Sequence, residues 1–387
     1  LGDVYKRQTR YVGAQPVFFG CDETATMDPD AVEDLDFDRY VTGNIRHALS
    51  YLDSQLEGNY TYGAEWSLFT LLRAGASLSQ SDLDHYYASI TQHLESGGRM
   101  LPTDYFRVVV ALLAMGKDPT DVAGMDLIEA LYNYPNLDRM TSNMMSYTLL
   151  ALDTKDYEVP QDARWTRETL IEKILTFQNA NGGFGLSSAD TESVDVTAMT
   201  LQALAPYRDM EQVGLAFERA LEYLRSQMTS DCGYINEGDD NGCTAAQVLT
   251  ALAVAGIDPL DPDNGFTHGN YNLVTKLDQF KRESGFTTFM SSNQPDGMGT
   301  VQIGYALEAY RRFVAGENTL FDLTQWTPAP PTQDGNSGEN PGSGEKDPQV
   351  PQTGDASPLV ELLVILGMSA AGLCAAVWTD RKRKSRG

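Results

Sequence analysis

A small set of polar side chains stands where chemistry would be sought, at or near the starts of successive apolar helical stretches: Glu65, Thr103 or Asp104, Asn143, Asp195 and Cys243. Brought together, two carboxyls would supply the acid and base of glycoside hydrolysis, and Glu65, Asp195 and Asp240 are the candidates for the acid. The same residue types are favoured helix caps, so a plain helical repeat also accounts for them. Asp104, Asn143, Asp195, Tyr234 and Tyr305 are the candidate ligand contacts, with Tyr62, Met144, Met145 and Phe184 as further apolar lining. Glu237, Asp239, Asp240 and Asn241 crowd oxygen ligands suited to calcium into residues 237–241, without the spacing of an EF-hand. Cys232 and Cys243 flank that loop and are expected to form a disulfide in an exported chain. His47, His85, His93 and His268 lack metal-ligand spacing, so no transition-metal site is expected.

Such residues need a scaffold that lines up helix starts. From residue 43 to about 316 the chain runs six times through one pattern: a helix, a Gly-rich or polar loop, and a second helix closed by Gly or Asp-Pro. First helices are amphipathic, as in Ile45, Ala48, Leu49, Leu52 and Leu56, or Phe217, Ala220, Leu221, Leu224 and Met228. Second helices, such as 107–115 and 245–255, are apolar nearly all round, which is the pattern of a helix covered on every side. The expected fold is all-α, an α/α toroid of six helical hairpins over residues 43–324, with amphipathic helices outside and buried ones inside. An open superhelix is the alternative.

Two stretches carry a family resemblance. Gln178-Asn179-Ala180-Asn181-Gly182-Gly183-Phe184-Gly185 followed by Asp195-Val196-Thr197-Ala198 is one, and Tyr223-Leu224-Arg225-Ser226-Gln227 followed by Cys232-Gly233-Tyr234 is the other. They resemble the prenyltransferase and squalene-oxidase repeat, most strongly over the fourth and fifth hairpins. The resemblance implies the six-hairpin toroid of terpenoid cyclases, protein prenyltransferase β subunits, complement thioester domains and vitamin B12 carriers, whose chemistries differ. Cyclases use the central acid of Asp-x-Asp-Asp-Thr-Ala. Asp195 holds that place here, but Ser193 and Val196 replace its partners, which leaves a helix N-cap as its expected role. Prenyltransferases hold zinc with Asp-x-Cys and a His, whereas Asn241-Gly242-Cys243 lacks the Asp and the last hairpin lacks the His. The thioester Cys-Gly-Glu-Gln is absent. The B12 carriers imply a corrinoid-like ligand, and an enzyme reading implies isoprenoid or glycan.

A net charge of −26 argues against nucleic acid and anionic lipid as partners. Arg381, Lys382, Arg383, Lys384 and Arg386 gather at the end of the chain, directly after an apolar run at 359–378. At about 1.5 Å per residue such a helix crosses a ~30 Å hydrocarbon core, and the basic tail (381–386) keeps that end cytoplasmic. Just before it, Val350-Pro351-Gln352-Thr353-Gly354-Asp355 resembles the Leu-Pro-x-Thr-Gly sorting motif of Gram-positive surface proteins, with Val for Leu. The resemblance implies a sortase that cuts between Thr353 and Gly354 and joins Thr353 to peptidoglycan. Residues 325–349, rich in Pro, Gly, Ser and Asn, are expected to be a disordered wall-spanning spacer. Residues 1–42 are expected to be a truncated N-terminal segment, with an export signal upstream of Leu1. The sequence therefore predicts a cell-surface protein, covalently attached to the cell wall, whose toroid binds a small molecule or partner without catalysis. The alternatives are an extracellular enzyme and a structural interaction scaffold.

Overall fold

The computed structural model describes residues 37–332. The sorting residues Val350, Pro351, Thr353 and Gly354, the apolar run at 359–378 and the spacer beyond Thr332 lie outside the described residues. Among the described residues twelve α-helices form six hairpins: α1 (Gly43–Leu56) with α2 (Glu65–Arg73), α3 (Gln80–Glu95) with α4 (Pro102–Ala114), α5 (Leu127–Tyr132) with α6 (Ser142–Asp153), α7 (Arg167–Leu175) with α8 (Val194–Leu204), α9 (Glu211–Gln227) with α10 (Gly242–Val254), and α11 (Leu273–Asp278) with α12 (Gly297–Ala315). The even-numbered helices pack in sequence, α2 on α4, α4 on α6, α6 on α8, α8 on α10 and α10 on α12, and α12 returns to α2. The ring is closed, which decides against the open superhelix. Burial explains the layering. Val108, Val109, Val110, Ala111 and Leu112 of α4 have no exposed surface, so this helix must be covered all round. In α1 the buried apolar residues reduce to one stripe, Ile45, Ala48 and Leu52.

Because outer and inner helices alternate without exception, the inner helices run parallel and their N-termini share one face. Antiparallel ribbons β1 (Ile235–Asn236) with β2 (Asp239–Asp240), and β5 (Lys281–Arg282) with β6 (Gly285–Phe286), decorate that face. The ribbon of β3 (Thr267–His268) with β4 (Tyr271–Asn272) lies on the inner-to-outer connection between α10 and α11. The Gly-Gly-Phe-Gly motif ties hairpins together: Gln178 Nε2 donates to the carbonyls of Gly182 at 2.9 Å and Ala216 at 2.7 Å, and the Phe184 N–H donates to Thr197 Oγ1 at 2.8 Å. Gly182 is required there, since its φ is +94° and a Cβ would stand 2.2 Å from the Arg219 carbonyl oxygen. The sixth hairpin repeats the last bond from Phe286 N–H to Thr300 Oγ1, at 2.9 Å, despite weaker sequence likeness.

The opposite face is sealed by the chain that follows α12. Arg73, at the end of α2, donates to the carbonyls of Leu320 at 2.8 Å and of Thr319 and Asp322 at 2.7 Å. Phe321 enters the ring, 5.7 Å from Phe69 and 5.4 Å from Phe106 between centroids. Leu323 N–H reaches the Thr154 carbonyl after α6, and Trp326 Nε1 donates to that of Ala114 at the end of α4. Residues expected to begin the spacer thus stay on the toroid as far as Thr332, whose backbone bonds Leu78 and Gln80. Among the described residues no helix is long and apolar enough to cross a membrane. Arg73→Met takes the donor from three carbonyls and is expected to lower stability by about 3 kcal/mol. Urea unfolding measures this, and an unchanged midpoint would mean that Arg73 does not hold the seal.

Candidate functional site

At the open face Trp66 reaches over the ring axis. Its ring lies 5.8 Å from Phe106 on α4, 5.9 Å from Tyr305 on α12 and 6.4 Å from Tyr147 on α6. Since α6 is not a neighbour of α2, the last contact spans the ring. Phe106 and Tyr147 stack at 4.9 Å and 14°, completing an aromatic floor. A glutamine ladder on three inner helices borders it: Gln202 Nε2 donates to Gln247 Oε1 at 2.9 Å, and Gln247 Nε2 donates to Gln302 Oε1 at 3.0 Å and Tyr305 Oη at 2.5 Å. Trp66 Nε1 on α2, and Asn143 Oδ1 and Ser146 Oγ on α6, are buried without a hydrogen-bond partner. Asn143 and Tyr147 are four residues apart on α6, so they share one face of that helix.

Asp195 stands half-buried on the rim, in the first turn of α8. It is not the helix cap: Ser193 Oγ accepts the Val196 N–H at 3.1 Å, which corrects the role expected for Asp195. Asp195 Oδ2 instead accepts Asn236 Nδ2–H from β1 at 2.8 Å, and the Thr244 hydroxyl donates as well. Burial outweighs these bonds and lifts the Asp195 pKa to about 6, with the Glu237 carboxylate adding to the rise. Burial first, and then the charge of Asp195, raise the phenol of Tyr147; that of Tyr305 is raised by burial, then by Tyr147 and Cys243, with Asp195 the smallest contributor.

Glu65 and Asp104 reach the same rim but serve as braces. Glu65 is fully buried; its Oε1 accepts the Gly63 N–H at 2.8 Å and the Tyr86 hydroxyl at 3.3 Å. Its Oε2 lies 3.1 Å from Arg107 Nη1, close enough to pair but not aligned for a hydrogen bond. Burial raises the Glu65 pKa against the pull of Arg107. Asp104 pairs with Arg107 Nη2 at 3.1 Å and accepts the Leu101 N–H at 2.8 Å. The guanidinium sits 5.1 Å from the Tyr62 ring centroid, and Tyr62 stacks on His93 at 3.9 Å. Glu65 has no open side and its contacts are those of a structural anion, while Asp104 braces Arg107 and stays half-buried at the rim.

Asp240 Oδ2 is likewise engaged, paired with the buried Lys276. Calcium at 237–241 also fails on geometry. Asp239 Oδ2 accepts the Ser291 N–H and hydroxyl, and Asn241 Oδ1 caps α10 by accepting the Thr244 N–H at 3.1 Å. Among the described residues no group of three or more His, Cys, Asp or Glu is placed to hold a metal ion. The expected disulfide is overturned, because Cys232 and Cys243 are buried free thiols. Cys232, at φ +62°, turns its sulfur to the His268 backbone, while Cys243 Sγ lies 3.5 Å from Thr288 Oγ1. Tyr234 is buried beside Cys232 and Arg225 rather than the floor aromatics, which removes it from the ligand contacts. Met145 and Phe184 are core, while Tyr62 and Met144 remain half-buried. Sequence reasoning missed Trp66, Arg107 and the glutamine ladder. The available signal was polar side chains inside helices otherwise apolar all round.

A closed double ring of helices with its polar residues at one mouth defines an α/α toroid. No protein-family model matches the chain, and no curated protein does. Among solved structures, the unsaturated glucuronyl hydrolase of Bacillus sp. GL1 is similar with a TM-score of 0.50 at 10% identity, over 73% of this chain and 98% of that one. Haptocorrin in complex with Cbi gives 0.48 at 14% identity, over 70% of this chain and 66% of its own, so less than two thirds of haptocorrin is spanned. Candida albicans protein geranylgeranyltransferase-I complexed with GGPP gives 0.47 at 14%, over 72% and 92%. Identities this low show the fold alone.

Asp195 gives stability a pH dependence of definite sign. Its pKa rises from an ordinary 3.8 to about 6, so the folded state holds the proton more tightly than the unfolded chain. The contribution is complete below the unfolded value and is lost as pH rises through about 6. Asp195→Asn should therefore gain stability over the parent at about pH 8 relative to the difference at about pH 4, by urea unfolding at both. A difference that ignores pH would separate Asp195 from this titration.

Proposed function

We propose that the toroid is the ligand-binding domain of an exported, wall-anchored surface protein, and that it takes a neutral small molecule with a flat or ring-shaped apolar face. A glycan unit is the first class to test and a corrinoid the second. The observation that carries this is the aromatic floor, where the half-buried Trp66 lies against Phe106, Tyr147 and Tyr305 with the half-buried Asp195 on the same rim. The aromatic faces suit the apolar side of a sugar or planar macrocycle. Diphosphates fit poorly, because the charged group acting on Asp195 is another carboxylate and Arg107 is already paired.

One observation favours a second, catalytic reading: a half-buried acid with a pKa of about 6 is poised to donate a proton near neutrality. Exposed Glu237 would then be the partner carboxylate in glycan hydrolysis.

The anchor is supported by the residues at 350–386. A sortase would cut after Thr353 and pass it to peptidoglycan, while the apolar run and basic tail hold the precursor at the membrane. The described chain ends at Thr332 beside Leu78, on the connection between α2 and α3. That is the face opposite the mouth, so a tether from there leaves the site directed outward.

Titration with glycan oligomers and corrinoids is expected to give a saturable change in tryptophan emission for one class, weakened about tenfold by Trp66→Phe. Product analysis runs alongside. Turnover abolished by Asp195→Asn would move the assignment to the enzyme, and no saturable response to either class would remove the binding reading. For the anchor, Thr353→Ala should shift the protein from the wall fraction to the detergent-soluble membrane fraction; equal release of both forms would refute sorting.

A further inference from the structure

We propose that Lys276 and Asp240 are joined in the mature protein by an amide bond between side chains, tying the fifth hairpin to the sixth. This is independent of the ligand assigned to the mouth. Lys276, on α11, is among the largest fully buried side chains, with 1% of it exposed. Its Nζ touches Asp240 Oδ2 on β2 and lies 2.7 Å from Asp231 Oδ2. The Phe280 ring centroid is 5.9 Å away, and Gln279 Oε1 is at 3.4 Å. Asp240 Oδ1, on the other side of the same carboxyl, is buried with no hydrogen-bond partner. Gly233 closes over the pair: a Cβ there would stand 2.5 Å from Lys276 Cε and 2.8 Å from Asp240 Oδ1.

An ammonium buried between two carboxylates leaves an excess negative charge, and buried ion pairs barely offset their desolvation. Condensation removes two of the three charges. Asp240 is 16% exposed and Asp231 is 38% exposed, so the charge that remains is the one best able to reach water. The chemistry balances without an oxidant or co-substrate. Nζ gives a proton to Asp231, and the free amine attacks Cγ of Asp240. The C–O bond breaks, and the departing oxygen takes the proton held by Asp231 and a second from nitrogen. One water leaves, one amide forms, and Asp231 ends as it began. The bond would pin the β1–β2 ribbon, where Asn236 faces Asp239 in register and holds Asp195 at the rim.

Intact mass spectrometry of the denatured full-length protein tests this. The expected result is a mass one water below that of the sequence, with a branched peptide after proteolysis that contains both Lys276 and Asp240. Lys276→Arg and Asp240→Ala should restore the full mass, and Asp231→Ala should leave an uncross-linked fraction. Parent protein at full sequence mass overturns the proposal, as does a lost water without the branched peptide. Both readouts come from the parent protein, so the decision stands even where a variant fails to fold.

Discussion

The molecule depends on its last inner helix meeting its first. A helix such as α10, buried from Gly242 through Ala253, has no face that tolerates water, so inner helices are stable only when each has two inner neighbours. For α2 and α12 that condition is met only by closing the ring. The seam is built for close approach: a Cβ at Gly304 would lie 3.1 Å from the Ala48 Cβ and 3.2 Å from Thr70 Cγ2. On the sealed face Arg73 and Arg312, from the two helices that close the ring, both lie over Trp326, at 4.6 and 6.0 Å.

Closure produces an inside that cannot be symmetric. Phe321 and the segment around it fill the end at the inner C-termini, while the other end keeps polar atoms that the protein leaves unpaired. Asp195 shows the same tension, being held by Asn236 and Thr244 yet pushed towards protonation by burial. A fold that optimised stability alone would replace these groups with apolar ones. Asp195 and the aromatic cluster of Trp66, Tyr147 and Tyr305 lie at the end that the segment around Phe321 leaves uncovered.

The sequence disclosed what is periodic and local. Spacings such as Ile45, Ala48 and Leu52 gave the amphipathic helices, and the apolar inner segments gave the second layer. The candidate mouth was legible as a row of helix starts, but most of its members changed role because their partners are distant in sequence. Glu65 pairs with Arg107, and Asp240 with Lys276, contacts that no local pattern encodes. The cysteine pair failed for a geometric reason: a short loop brings two residues near each other but does not aim their side chains, and the sulfurs face His268 and Thr288. Asp195 stands where the family-like motif puts it, in the first turn of α8, although Ser193 carries the cap.

The buried and half-buried ion pairs between hairpins have a common distribution. Glu65 with Arg107 joins the first hairpin to the second, Asp153 with Arg167 the third to the fourth, and Asp231 and Asp240 with Lys276 the fifth to the sixth. Between the fourth and fifth, Gln178 provides the link without charge, bonding the Ala216 carbonyl on α9. Ion pairs of this kind contribute little net stability, since desolvation nearly cancels attraction. They do differ from seam to seam, whereas the apolar faces of similar hairpins are nearly interchangeable. Mispairing would strand a buried charge, a penalty of several kcal/mol against about none for an exchanged leucine. The role these pairs fit is therefore to fix which hairpin packs beside which, and so to bring Trp66, Tyr147, Asp195 and Tyr305 around one axis.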